Sequence, residues 1–184
     1  MATVRKTETI SQEDYLASEQ DGDCRHEYVA GYVYAMTGAS EAHNLICTNL
    51  NGMLYNHLRG QLCRAFVNDM KVRVGDDFYY PDLMVCCDPI DKAKYFKTQP
   101  VLLVEVLSPS TKRTDQIEKR IAYQSLESLQ EYVLIAQDRM EIHIYRQIDN
   151  GWDLETLTNG DSLFLHSIDM QIPIEQVYEK VEWS

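Results

Sequence analysis

Two carboxylates stand where carboxylates are expensive. The stretch YYPDLMVCC carries Asp82, and PVLLVEVLSPST carries Glu105. Each lies in or beside an apolar run of strand length bounded by turn residues, which reads most simply as a buried strand. An acid in such a run costs free energy unless it is paired or binds a cation. A helix-like segment follows, TDQIEKRIAY, and it contributes Lys119. Two strand acids with a cation close behind are the pattern of a metal site. Mg²⁺ prefers oxygen ligands at about 2.0–2.1 Å and keeps several waters, so one or two carboxylates suffice. Such an ion can polarise a bound oxygen and lower the pKa of an attacking water.

Pro81-Asp82 followed by Glu105 on the next apolar strand resembles the PD-(D/E)XK nuclease signature. The wider wording is EYVAGYVYAMTG, YYPDLMV, VEVLSPST and D-x-x-x-K-x-x-x-Y. It resembles the restriction-endonuclease-like family of unknown function within that superfamily, over roughly residues 14–152. The resemblance implies a Mg²⁺- (or Mn²⁺-) dependent DNA endonuclease, with Asp82 and Glu105 as ligands and the Val106 carbonyl as a further one. One position departs from the pattern: Leu107 stands two residues after Glu105, where the motif lysine belongs. The resemblance implies that this lysine has moved to the following helix, as Lys119.

Residues Asp115, Lys119 and Tyr123 recur at i, i+4 and i+8, forming one helix stripe. The bland alternative for Asp115 and Lys119 is a surface ion pair. The stripe is separate from the apolar side bearing Ile117, Ile121, Leu126 and Leu129, so it could turn toward the site from beside the Glu105 strand. If Lys119 serves the site, Lys119→Ala should lose most cleavage while folding and metal binding stay nearly intact. Glu27 is a candidate third acid on a strand, or a solvated one. His43, near a helix start, could reach phosphate or water. Lys71 is the rival lysine, but alternation with Met70, Val72 and Val74 turns it toward solvent. Ser108 lacks a G-x-S-x-G context, and no P-loop or G-x-G-x-x-G is present.

The elements must hold these groups together. Ser11-Gln12-Glu13-Asp14 reads as a capping box opening a short helix. Residues 25–30 and 32–37 form a hairpin about Gly31, and residues 39–59 a helix. Residues 63–67, 70–74 and 78–87 read as strands, the last two antiparallel across Gly75-Asp76-Asp77. The strand 101–107 and the turn Ser108-Pro109-Ser110-Thr111 lead into a helix over 115–129. A hairpin over 131–136 and 141–146, a turn at Asn150-Gly151 and a closing helix over 174–181 complete the chain. The order predicts an α/β (α+β) fold, a mixed central sheet flanked by helices with additional hairpins. The resemblance makes it a restriction-endonuclease-like core.

The chain of 184 residues suits one domain, 1–184. No apolar run is long enough to span a membrane, and the N-terminal segment has no export signal, so a cytoplasmic protein is expected. Five cysteines without C-x-x-C spacing are expected to be reduced, with Cys86 and Cys87 on opposite strand faces. The net charge of −12 disfavours a general nucleic-acid coat protein. Its distribution is uneven. Residues 91–120 carry seven Lys/Arg against four Asp/Glu, and residues 148–184 one Lys against eight acids. A nuclease cutting both strands is expected to be a homodimer. The alternative function is a non-catalytic nucleic-acid- or protein-binding module that keeps the fold; Leu107 and the acidic total favour it.

Overall fold

The structure is a computed structural model and describes residues 9–36, 38–108 and 114–183. The turn expected at Ser108–Thr111 lies outside them apart from Ser108, and so does the side chain of Asp115. In chain order the elements are α1 (Gln12–Asp21), β1 (His26–Val29), β2 (Tyr32–Ala35), α2 (Glu41–Leu58), β3 (Arg64–Val67), β4 (Lys71–Val74) and β5 (Asp77–Tyr79). Then come β6 (Leu83–Cys86), β7 (Phe96–Lys97), β8 (Pro100–Leu107), a π-helical segment (Thr114–Lys119) and α3 (Arg120–Tyr123). The chain continues through β9 (Glu131–Ala136), β10 (Glu141–Ile148), β11 (Gly151–Thr158), β12 (Ser162–Leu165), β13 (Met170–Pro173) and α4 (Ile174–Val177).

The central sheet has six strands in the order β11-β10-β9-β8-β6-β3. Only β8 and β9 run parallel; the other pairs are antiparallel, so the sheet is mixed. Both parallel strands are apolar almost throughout, as burial on two faces requires. Alternation along β8 splits its side chains between two cores. Leu102, Val104 and Val106 meet Ile46, Leu50 and Leu54 of α2. Leu103 and Leu107 meet Tyr79, Tyr123 and Leu134 on the other side. A second sheet, β2-β1-β5-β4-β7, is held to α1 by Tyr15, whose ring stacks on Tyr28 at 5.0 Å. Ser11 caps α1 as its sequence predicts, accepting from the Asp14 N–H.

Four expectations are corrected. Residues 78–87 are not one strand. Pro81 has no N–H to give a ladder and restricts the residue before it. The chain therefore leaves the five-stranded sheet after Tyr79 and enters the six-stranded one at Leu83. The helix expected over 115–129 is a π-helical segment and one α-turn; the Lys119–Tyr123 stripe does turn inward, but the face bearing Ile117 and Ile121 does not pack. Ile117 and Ile121 are exposed, while Lys119 and Tyr123 are buried. Pairing of the Lys119 charge has outweighed burial of two isoleucines. Lys71 is buried rather than solvated, with its ammonium donating to the Tyr80 hydroxyl at 3.0 Å. Finally, Cys63 and Cys87 form a disulfide, where reduced thiols were expected. Register explains it: Arg64 faces Cys86, so the next residues outward, Cys63 and Cys87, face each other as well. Cys86 and Cys87 do point to opposite faces, one in each core.

One buried acid is purely structural. Glu131, 1% exposed, accepts from the His166 and Ser167 N–H groups and the Ser167 hydroxyl, and pairs with Arg146. It ties the end of β12 to β9 and β10. Glu131→Ala orphans these donors and should destabilise by about 3–5 kcal/mol. The check is urea unfolding, in which Glu131→Gln should lose much less; equal losses would contradict a hydrogen-bonding role.

Candidate active site

The break between β5 and β6 creates the site. Asp82 stands one residue before the β6 ladder, where Leu83 pairs with Val104 of β8. Continuing that register brings Asp82 beside Glu105. Its Oδ2 accepts the Val106 N–H at 2.7 Å and lies 3.2 Å from His43 Nε2. His43 comes from the first turn of α2, whose start is fixed by Ser40 accepting the His43 N–H at 3.1 Å.

Glu105 projects from β8 on the Leu103–Leu107 face and is 4% exposed. Its Oε1 accepts from Lys119 Nζ at 3.1 Å and from the Tyr123 hydroxyl at 2.9 Å. The same ammonium lies 2.8 Å from Glu27 Oε1. Glu27 belongs to β1 of the other sheet and also accepts the Tyr80 N–H at 3.1 Å. Lys119 thus clamps one carboxylate from each sheet. Burial, then the neighbouring Glu105 and Glu27 charges, hold the Tyr123 hydroxyl well above its ordinary pKa. It therefore remains a protonated donor to Glu105.

Glu27, His43, Asp82, Glu105, Val106 and Lys119 all line one cleft of about 770 Å³. Asp82 and Glu105 accordingly open on a common space, and Glu27 and His43 join them; Tyr123 is buried behind Glu105 and does not line it. Leu107 shares the Glu105 face but packs into the core with Tyr123. Lys71 takes no part in this cluster. Its Tyr80 partner donates at 2.8 Å to Glu19, which in turn pairs with His26 at 2.9 Å. Burial holds the Lys71 ammonium below its ordinary pKa. This chain fastens α1 to the sheet beside the cleft.

Lys119 is shared by Glu27 and Glu105, and Asp82 adds a third carboxylate to the same cleft, which leaves surplus negative charge that suits a cation. The oxygen donors Asp82 and Glu105 fit a hard divalent ion such as Mg²⁺ or Mn²⁺. Sequence reasoning missed Cys47. One helical turn beyond His43, its Sγ lies 3.6 Å from His43 Nδ1. The signal was the i, i+4 spacing, hidden because a small buried thiol also reads as core. Burial, then Asp82 and Glu105, hold that thiol far above its ordinary pKa, so it stays protonated unless a cation takes the place of the proton.

A mixed sheet flanked by helices, with a carboxylate-lined cleft where two sheets part, defines a restriction-endonuclease-like fold. A solved structure from Anabaena variabilis, described as a putative nuclease belonging to DUF820, shares this fold at TM-score 0.79 and 17% identity. The match covers 94% of this chain and 99% of that one. Residues 12–175 match the Uma2 family, described as putative restriction endonuclease, and the chain belongs to that family. Two uncharacterised proteins of Synechocystis sp. are similar over most of their length. One is 37% identical over 92% of this chain and 91% of its own, the other 30% identical over 85% and 92%.

Proposed function

We propose that this protein is a metal-dependent endonuclease hydrolysing DNA phosphodiester bonds. The observation that carries the reading is Lys119 seated between Glu105 and Glu27 in the same cleft as Asp82. Asp82 and Glu105, with the Val106 carbonyl, would hold Mg²⁺ or Mn²⁺. When bound, such an ion supplies Lewis acidity to a phosphoryl oxygen and acidifies a bound water. The chain's own groups do the rest. Lys119 presents a fixed positive charge where negative charge develops on the phosphoryl oxygens. Tyr123 holds Glu105 in place, and His43 and the Val106 N–H orient Asp82. Cutting both strands is simplest for a homodimer bearing two such sites.

The alternative, a non-catalytic binding module, is favoured by the apolar Leu107 and the net charge of −12. A plasmid assay separates the two. Supercoiled plasmid should be nicked with Mg²⁺ or Mn²⁺ and left intact with EDTA. Plasmid that stays supercoiled at saturating metal, across protein concentrations that bind it, would leave the binding module as the function.

A further inference from the structure

The groups on the α2 side of Asp82 are of a different chemical kind from the carboxylates around Lys119. His43 and Cys47 stand at i, i+4 on one helix face, the spacing by which two side chains of a helix ligate one ion. Asp82 faces them from the start of β6. One ligand atom from each of the three residues, a nitrogen, a sulfur and an oxygen, can be chosen so that all lie within 4.8 Å of one another. Bond lengths of about 2.0–2.3 Å make the ligand–ligand edges of a tetrahedral zinc site about 3.3–3.8 Å. His43 Nε2 lies 3.2 Å from Asp82 Oδ2, close to such an edge, while Cys47 Sγ lies 3.6 Å from the other ring nitrogen, Nδ1. One ion takes a single imidazole nitrogen, so binding requires the ring and the thiol to turn until one nitrogen faces both Asp82 and Cys47.

We propose that His43, Cys47 and Asp82 form a binding site for a thiophilic divalent cation, Zn²⁺ or Co²⁺. The cation is tetrahedral, with these three protein ligands and one water. On binding, the Cys47 S–H bond breaks, its proton leaves to solvent, and the sulfur lone pair forms the bond to the metal. The site differs in ligand softness from the oxygen donors Asp82 and Glu105, which suit Mg²⁺. Both sites draw on Asp82, so zinc engages an acid that a hard cation would also need. That gives the cleft a built-in response to zinc.

Binding is read without nucleic acid, so the test stands apart from the nuclease reading. Co²⁺ is titrated into the full chain in the absence of Mg²⁺. A thiolate-to-cobalt charge-transfer band should grow to saturation at one equivalent. Cys47→Ser should abolish the band, with Cys47→Ala as a second variant should serine disturb the core. His43→Ala should weaken cobalt binding at least about tenfold. Cys24→Ser, at the exposed free cysteine, should leave the band unchanged. Absence of the band at saturating cobalt, or its survival in both Cys47 variants, overturns the proposal. If plasmid is never nicked yet the band appears, the endonuclease reading falls and this site stands. If plasmid is nicked, Zn²⁺ should suppress Mg²⁺-supported nicking in the wild type and not in Cys47→Ser.

Discussion

Asp82→Asn is expected to lower Mg²⁺-supported plasmid nicking by about 10²–10³-fold or more, at little cost to the fold. The change is nearly isosteric, and the asparagine carbonyl oxygen can still accept the Val106 N–H that Asp82 holds at 2.7 Å. What disappears is one full negative charge at the mouth of β6. Removing a single preorganised electrostatic contact to a transition state typically costs two to three orders of magnitude. Here the lost group would also bind the cation, so the apparent metal affinity should fall in parallel. Calorimetric Mg²⁺ titration and nicking rates over a range of metal concentrations measure both effects. Raised metal should recover part of the loss. A variant with wild-type affinity and wild-type nicking would remove Asp82 from the site.

The parts of this site that were legible in the sequence are those fixed by strand chemistry. Asp82 and Glu105 announce themselves because ionised groups in apolar strands need compensation. The i, i+4 spacing of Lys119 and Tyr123 places both on one stripe, and both reach Glu105 Oε1. Spacing alone did not say which side of that helix faces inward; the resemblance did, by assigning Lys119 to the site. Ile117 and Ile121 have the stronger local claim to burial, and only the tertiary placement of Glu27 and Glu105 reverses it. The same holds for Lys71, whose burial depends on Tyr80 and on Glu19, which comes from a helix 52 residues earlier in the chain. Pro81 marked a boundary, yet its consequence, a change of sheet within three residues, needs the partner strands to be known. The Cys63–Cys87 bridge follows from β3–β6 register, which spacing alone does not give.

Lys119→Ala is the second large effect, and the geometry changes what should accompany it. The expectation that folding stays nearly intact does not suit an ammonium that is 5% exposed and shared by two carboxylates. Its removal leaves Glu27 and Glu105 facing each other, an uncompensated arrangement that costs about 3–5 kcal/mol. The variant should therefore melt at lower temperature without metal and recover when Mg²⁺ takes over the neutralisation. Nicking, measured well below that melting point, should fall by about 10²–10³-fold. Leu107 offers the way to separate charge from packing. It sits two residues beyond Glu105 on the same face of β8 and in the same core cluster as Tyr123. Introducing Leu107→Lys into Lys119→Ala returns a positive charge to the Glu105 side of the strand, from the motif position itself. Partial return of both the melting temperature and the nicking rate is expected. If Lys119→Ala alone nicks like the wild type, the lysine serves only to neutralise two buried acids, and the catalytic charge must come from elsewhere in the cleft.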